Sequence, residues 1–200
     1  MRLPVLICAL ALSAASAHAA GARWIGTWGA SPAPPLAVGP TTGPFPLSPS
    51  FSNQTVVQVM RVSGGGERLR VRLTNEYGTR PLQVGAARVA LLNAEGKVIP
   101  GSDRALSFSD SASAVIPAGA PMLSDPVALK VAPLARVRIS LYLPGETGLC
   151  TCHMTGGDLV QVSPPGDWTQ KELPAATGPA QYRAFVSGIE VETTAPGRVI

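Results

Sequence analysis

Charge is scarce in this chain: Asp, Glu, Lys and Arg make up only 14% of it, and no two cations are adjacent anywhere. A surface that grips a polyanion needs clustered Lys and Arg interleaved with aromatics. Aromatics are only 5% of the residues and do not interleave with cations, so nucleic acid is not an expected partner. The formal net charge is +4, a small excess of arginine and not a basic surface. Histidine is rarer still, with His18 and His153 alone, which leaves little scope for acid–base chemistry. The longest apolar stretch runs over residues 3–15. A membrane helix needs about 20 consecutive apolar residues, so no membrane span is expected. Apolar residues rarely recur at helical spacing, and 21 glycines and 20 prolines interrupt the chain too often for long helices.

What is present begins with a leader. Met1-Arg2, the apolar stretch and Ala17-His18-Ala19 form the pattern of a secretory signal peptide cleaved after Ala19. The expected mature protein is exported, to the periplasm or beyond, and keeps His153 as its single histidine. Losing Arg2 lowers the formal charge from +4 to +3. Cys8 lies inside the apolar stretch, too early for a lipid-modified N-terminus. The remaining 180 or so residues suit one domain, which at that size buries roughly 70% of its unfolded surface.

Strand patterns fill that domain. Leu69, Val71 and Leu73 alternate with Arg68, Arg70 and Arg72, and Val137, Ile139, Leu141 and Leu143 alternate with Arg136, Arg138, Ser140 and Tyr142. Period-two alternation puts each set on one face of a half-buried strand. Further strands are expected over residues 24–30, 54–62, 83–92, 105–109, 114–116, 126–131, 149–154, 159–163 and 182–191. Gly64-Gly65-Gly66, between the strands 54–62 and 67–74, reads as a hairpin turn. Short strands about ten residues apart argue for an all-β fold, an antiparallel, jelly-roll-like β-sandwich over residues 20–192. Residues 32–49 carry seven prolines and form a long extended loop. Residues 193–200 read as a linker.

No hydrolytic constellation can be assembled. A Gly-x-Ser-x-Gly elbow is absent, and Ser109-Asp110-Ser111 lacks the glycine that allows a sharp turn. The densest chemical cluster is Cys150-Thr151-Cys152-His153-Met154. In a regular strand Cys150 and Cys152 share a face with Cα atoms about 7 Å apart, at the upper limit for a disulfide. β-branched Thr151 supports the extended form, which favours an unbridged pair. A bulge would permit a bridge in an oxidising compartment, and a soft-metal site is the third reading, weakened because His153 falls on the opposite face. Neither a cofactor nor a metal is expected. The arginines of the two alternating strands could meet an acidic ligand or a partner domain, a solvated strand face being the commoner reading. Trp24, Trp28 and Trp168 favour packing, with carbohydrate stacking as the alternative. Asn53-Gln54-Thr55 matches a glycosylation acceptor.

Several stretches resemble the β-sandwich that precedes the catalytic domain in large secreted SGNH/GDSL hydrolases. They are Trp24-Ile25-Gly26-Thr27-Trp28, Phe51-Ser52-Asn53-Gln54-Thr55, residues 70–82 with Asn75-Glu76-Tyr77-Gly78-Thr79-Arg80-Pro81, Leu123-Ser124-Asp125-Pro126, and Ser140-Leu141-Tyr142-Leu143-Pro144. Thr151 and His153 match a Thr-x-His pattern of the same region. The resemblance implies an accessory sandwich whose partner is an SGNH catalytic domain, with Arg198-Val199-Ile200 as the first residues of that domain. The Gly-Asp-Ser and Asp-x-x-His blocks are not in this chain, so no catalytic residue is transferred. Asn75, Glu76, Tyr77, Thr151 and His153 become candidates for a domain interface or cleft rim, and Cys150 with Cys152 for a disulfide or thiol pair. Val57 stands where the resemblance calls for arginine, and the Cys-x-Cys pair is not general to it.

Overall fold

The computed structural model describes residues 21–36, 48–154, 160–173 and 182–194. The leader, most of the proline-rich loop and residues 195–200 lie outside them. In chain order the strands are β1 (Arg23–Gly29), β2 (Gln54–Arg61), β3 (Gly66–Thr74), β4 (Leu82–Val84), β5 (Ala86–Leu92), β6 (Arg104–Ala105) and β7 (Ala114–Ile116). They continue as β8 (Pro121–Leu123), β9 (Val127–Val131), β10 (Arg136–Leu143), β11 (Cys152–His153), β12 (Val160–Val162), β13 (Arg183–Ala184) and β14 (Val186–Thr193). The fold is all-β and sandwich-like, and every named strand pair is antiparallel.

One sheet has the order β1-β14-β3, with β8 and β9 lying end to end along the far edge of β3. The other has the order β12-β2-β10-β5-β6. Their inner faces share one core, to which β3 gives Leu69, Val71 and Leu73, β10 gives Val137, Ile139, Leu141 and Leu143, and β14 gives Ile189 and Val191. All of these are fully buried. At roughly 1.5–3 kcal/mol for each such side chain, this alternation is the main reason these segments are strands. Phe185 and Phe51 close one end of the core, ring centroids 6.0 Å apart and edge to face.

The expected hairpin at Gly64-Gly65-Gly66 is not one. β2 and β3 belong to different sheets, and the glycines carry the chain across the edge of the sandwich. The crossing is held by β1: Ser63 N–H donates to the Thr27 carbonyl at 2.8 Å, and Thr27 Oγ1 donates to the Gly64 carbonyl at 2.8 Å. A Cβ on Gly65 would lie 2.5 Å from the Val131 carbonyl oxygen, so glycine is required by close approach and not by a tight turn.

Other boundaries shift locally. The expected strand 83–92 is two strands broken at Gly85, where a Cβ would press on the Tyr142 ring. β8 has no counterpart among the expected strands. Between β8 and β9 the ladder is patched by Ser124, whose N–H donates to the Val71 carbonyl while its hydroxyl accepts from Val71 N–H. The proline-rich loop is drawn together at its base, where Ser48 N–H donates to the Leu36 carbonyl and Leu36 N–H donates to Ser48 Oγ. β14 runs to Thr193, one residue into the expected linker, where it pairs with Arg23.

Candidate functional site

The segment expected as a strand over 149–154 is regular for only two residues, and this reverses the favoured reading of the cysteines. Cys150 and Cys152 are joined in a disulfide with Cα atoms 5.3 Å apart, where a regular strand would hold them about 7 Å apart. The backbone contracts because successive residues bond in different directions. Cys150 N–H donates to the Pro49 carbonyl, the Thr151 carbonyl accepts from Phe185 N–H, and the Cys152 carbonyl accepts from Ala33 N–H. The preference of Thr151 for extended backbone is overridden by these tertiary bonds. With the two sulfurs bonded to each other, neither is a thiolate ligand, and no cluster of metal-ligating side chains occurs among the described residues.

Around this bridge the structure gathers most of the candidate residues. Thr151 is fully buried, and its hydroxyl accepts a hydrogen bond from Tyr77 N–H at 3.1 Å, joining residues 74 positions apart. Tyr77 itself is 45% exposed, so a fixed backbone presents an aromatic ring to solvent. Glu76 is held from behind by Arg72, which approaches both carboxylate oxygens at 3.2 and 3.3 Å, and by the Thr74 hydroxyl at 2.8 Å. The Arg72 bond first, then the Thr74 bond, lowers the Glu76 carboxyl below the usual carboxylate range. Asn75 faces inward: its amide nitrogen donates to the carbonyls of Arg80, Ile116 and Pro117. It is therefore a brace and not a contact residue. His153 pairs with Arg183 in the ladder of β11 and β13 and sets Nδ1 3.0 Å from the Ser31 carbonyl, which makes Nδ1 the protonated nitrogen. The site is a rigid polar corner carrying Tyr77 and Glu76, with Thr151 beneath it.

Other residues singled out in the sequence have structural duties. Asp125 accepts from the Ser107 hydroxyl and from Asp110 and Ser109 N–H, which fixes the turn before β7 and lowers its carboxyl pKa. Arg68 and Arg70 do not face open solvent alone: they pair with Glu192 and Glu190 across β14, and both lie over the Trp24 ring, Arg70 at 4.3 Å. A ring covered by a guanidinium is no open platform for a sugar. Trp28 packs partly buried against the core, and Trp168 lies under Lys171. Asn53 accepts from the Tyr142 hydroxyl, and the Thr55 side chain is buried.

One feature escapes the sequence patterns. Arg136 and Arg138, with Arg88, line a cleft of about 580 Å³ on the outer face of the β12-β2-β10-β5-β6 sheet. The available signal was β2 itself, whose Val56, Val57, Gln58, Val59 and Met60 are all buried, so that both faces of the strand are covered. Comparison with protein-family models and with curated proteins returns no match for the chain.

Proposed function

We propose that this chain is the non-catalytic β-sandwich of an exported SGNH/GDSL-type acyl-ester hydrolase, built to pack against a separate catalytic domain. The observation that carries the reading is the bond from Tyr77 N–H to the Thr151 hydroxyl. It fastens the Asn75-to-Thr79 stretch, which belongs to the most specific run of the resemblance, to the Thr-x-His stretch. A preformed corner of this kind costs little ordering entropy on association, and an exposed tyrosine is a residue type enriched where protein surfaces meet. The leader would deliver the domain to the periplasm or the exterior, where the disulfide persists.

Two measurements test the reading. Coding DNA beyond residue 200, read in all three frames, should contain a Gly-Asp-Ser block followed by an Asp-x-x-His block; several hundred bases with neither would overturn it. The purified chain should not hydrolyse short acyl esters such as nitrophenyl acetate. Turnover abolished by His153→Ala would show instead that the chain is itself a hydrolase.

A further inference from the structure

The outer face of the β12-β2-β10-β5-β6 sheet has an unusual composition for a surface. Ile139, facing the core, pairs with Gln58 and Val89. By alternation the neighbouring rows face outward: Arg138 beside Val59 and Ala90, and Ser140 beside Val57 and Arg88. Yet Val57, Val59 and Ala90 are only 4%, 7% and 4% exposed, and none belongs to the core cluster between the sheets. They form the floor of the cleft of about 580 Å³, walled by segments around residues 94–98 and 169–173. That volume is within the range of small-molecule sites, roughly 300–1,000 Å³.

The charges in the cleft are unbalanced. Arg88 is satisfied by Asp103, with Nε 3.0 Å from both carboxylate oxygens. Arg136 and Arg138 form no ion pair with any described residue. Asp103 and Glu172 lie near enough to favour the charge of Arg138, but burial prevails and lowers its pKa from the ordinary value. Among the described residues its one hydrogen bond is a long one, from Nη2 to the Lys171 carbonyl at 3.4 Å, and its buried Nε–H finds no acceptor there. A buried donor left unmade is costly, and such exceptions call for an explanation.

We propose that this cleft binds a small organic carboxylate, its acid group received by Arg138 and Arg136 and its apolar body lying on Val57, Val59 and Ala90. A carboxylate presents two coplanar acceptors that suit the terminal Nη–H groups of a guanidinium, the buried Nε–H being closed to the cleft. The valine and alanine floor offers nothing to a compact, fully hydrated anion but would take an alkyl or aryl group out of water. The proposal is independent of any catalytic partner, since the cleft is built wholly from this domain.

The test is a titration of the purified protein with hexanoate, hexanamide and inorganic phosphate, followed by backbone amide NMR shifts and calorimetry. Hexanoate should bind, moving resonances of β2, β5 and β10, while hexanamide and phosphate should each bind at least about tenfold more weakly. Arg138→Met and Arg136→Met should each weaken hexanoate by a similar factor, and Lys130→Met, on the other sheet, should leave it unchanged. Equal binding of hexanamide would overturn the role of the arginines. Equal binding of phosphate would reduce the cleft to a site for any anion and overturn the apolar part. The ligand comparison on the unaltered protein decides the matter even if an arginine variant fails to fold.

Discussion

Gln58 and Ala184 exchange two hydrogen bonds inside the sandwich: the Gln58 side-chain nitrogen donates to the Ala184 carbonyl, and Ala184 N–H donates to the Gln58 side-chain oxygen, both at 2.8 Å. The amide of Gln58 thus acts as a one-residue strand partner for β13. This explains a fully buried glutamine between the valines in the middle of β2.

Gln58→Leu should therefore be far more damaging than its conservative shape suggests. It strands a buried N–H and a buried carbonyl at Ala184, each worth about 1–3 kcal/mol when unmet. A loss of about 2–5 kcal/mol in urea denaturation is expected. A loss below about 0.5 kcal/mol would mean that β13 finds other partners.

The same strand illustrates what was legible in the sequence and what was not. Alternation located β3 and β10 and correctly assigned every inward residue on them, because a period-two apolar pattern has few other homes. Alternation cannot say which strands are neighbours. Gly64-Gly65-Gly66 suits a hairpin turn as well as a crossing between sheets, and the choice was made by contacts with Thr27 and Val131, far away in the chain. β8 was missed because it is three residues long, too short for alternation to show, with only Met122 turned toward the core between exposed Pro121 and Leu123. The corner at residues 75–79 was legible as a motif, but the inward role of Asn75 was not. The cleft at Arg138 was hidden because its arginines alternate like those of any solvated strand.

The Cys150–Cys152 bridge predicts that neither residue alkylates in the unfolded, non-reduced protein. The mass should lie about 2 Da below that of the reduced chain, as one disulfide requires. Because the closed ring spans so few residues, reduction should cost only about 1–2 kcal/mol of stability. Two added alkyl groups without reductant would refute the bridge.

The Arg72–Glu76 contact predicts an acid-side dependence of stability. Glu76 titrates below its unfolded value of about 4.3, so its contribution is fully present above that pH. It is lost as pH falls through the lower, folded value. The pair is about one-third exposed, so the effect should be small. Glu76→Gln should lower stability at pH 7 and match the unaltered protein near pH 2. A variant equally destabilised at both pH values would show that packing, and not charge, is what Glu76 contributes.

Asn75 and Gly78 should be energetically coupled. The Asn75 amide spreads its N–H groups over three carbonyls at 2.9–3.1 Å and is almost wholly buried, so Asn75→Ala should cost about 2–4 kcal/mol. Gly78 N–H donates to the Asn75 carbonyl, and the space where a Gly78 Cβ would stand is already occupied by that same Asn75 amide. The φ of Gly78 is not in the left-handed region, so crowding alone excludes a side chain. Gly78→Ala in the unaltered protein should then cost about 1–3 kcal/mol through overpacking. In the Asn75→Ala background the obstruction is gone, and the same substitution should cost less than about 0.5 kcal/mol. A double-mutant cycle by chemical denaturation measures the difference. Strict additivity would mean that the corner relaxes around an alanine without displacing Asn75, and that its rigidity comes from elsewhere.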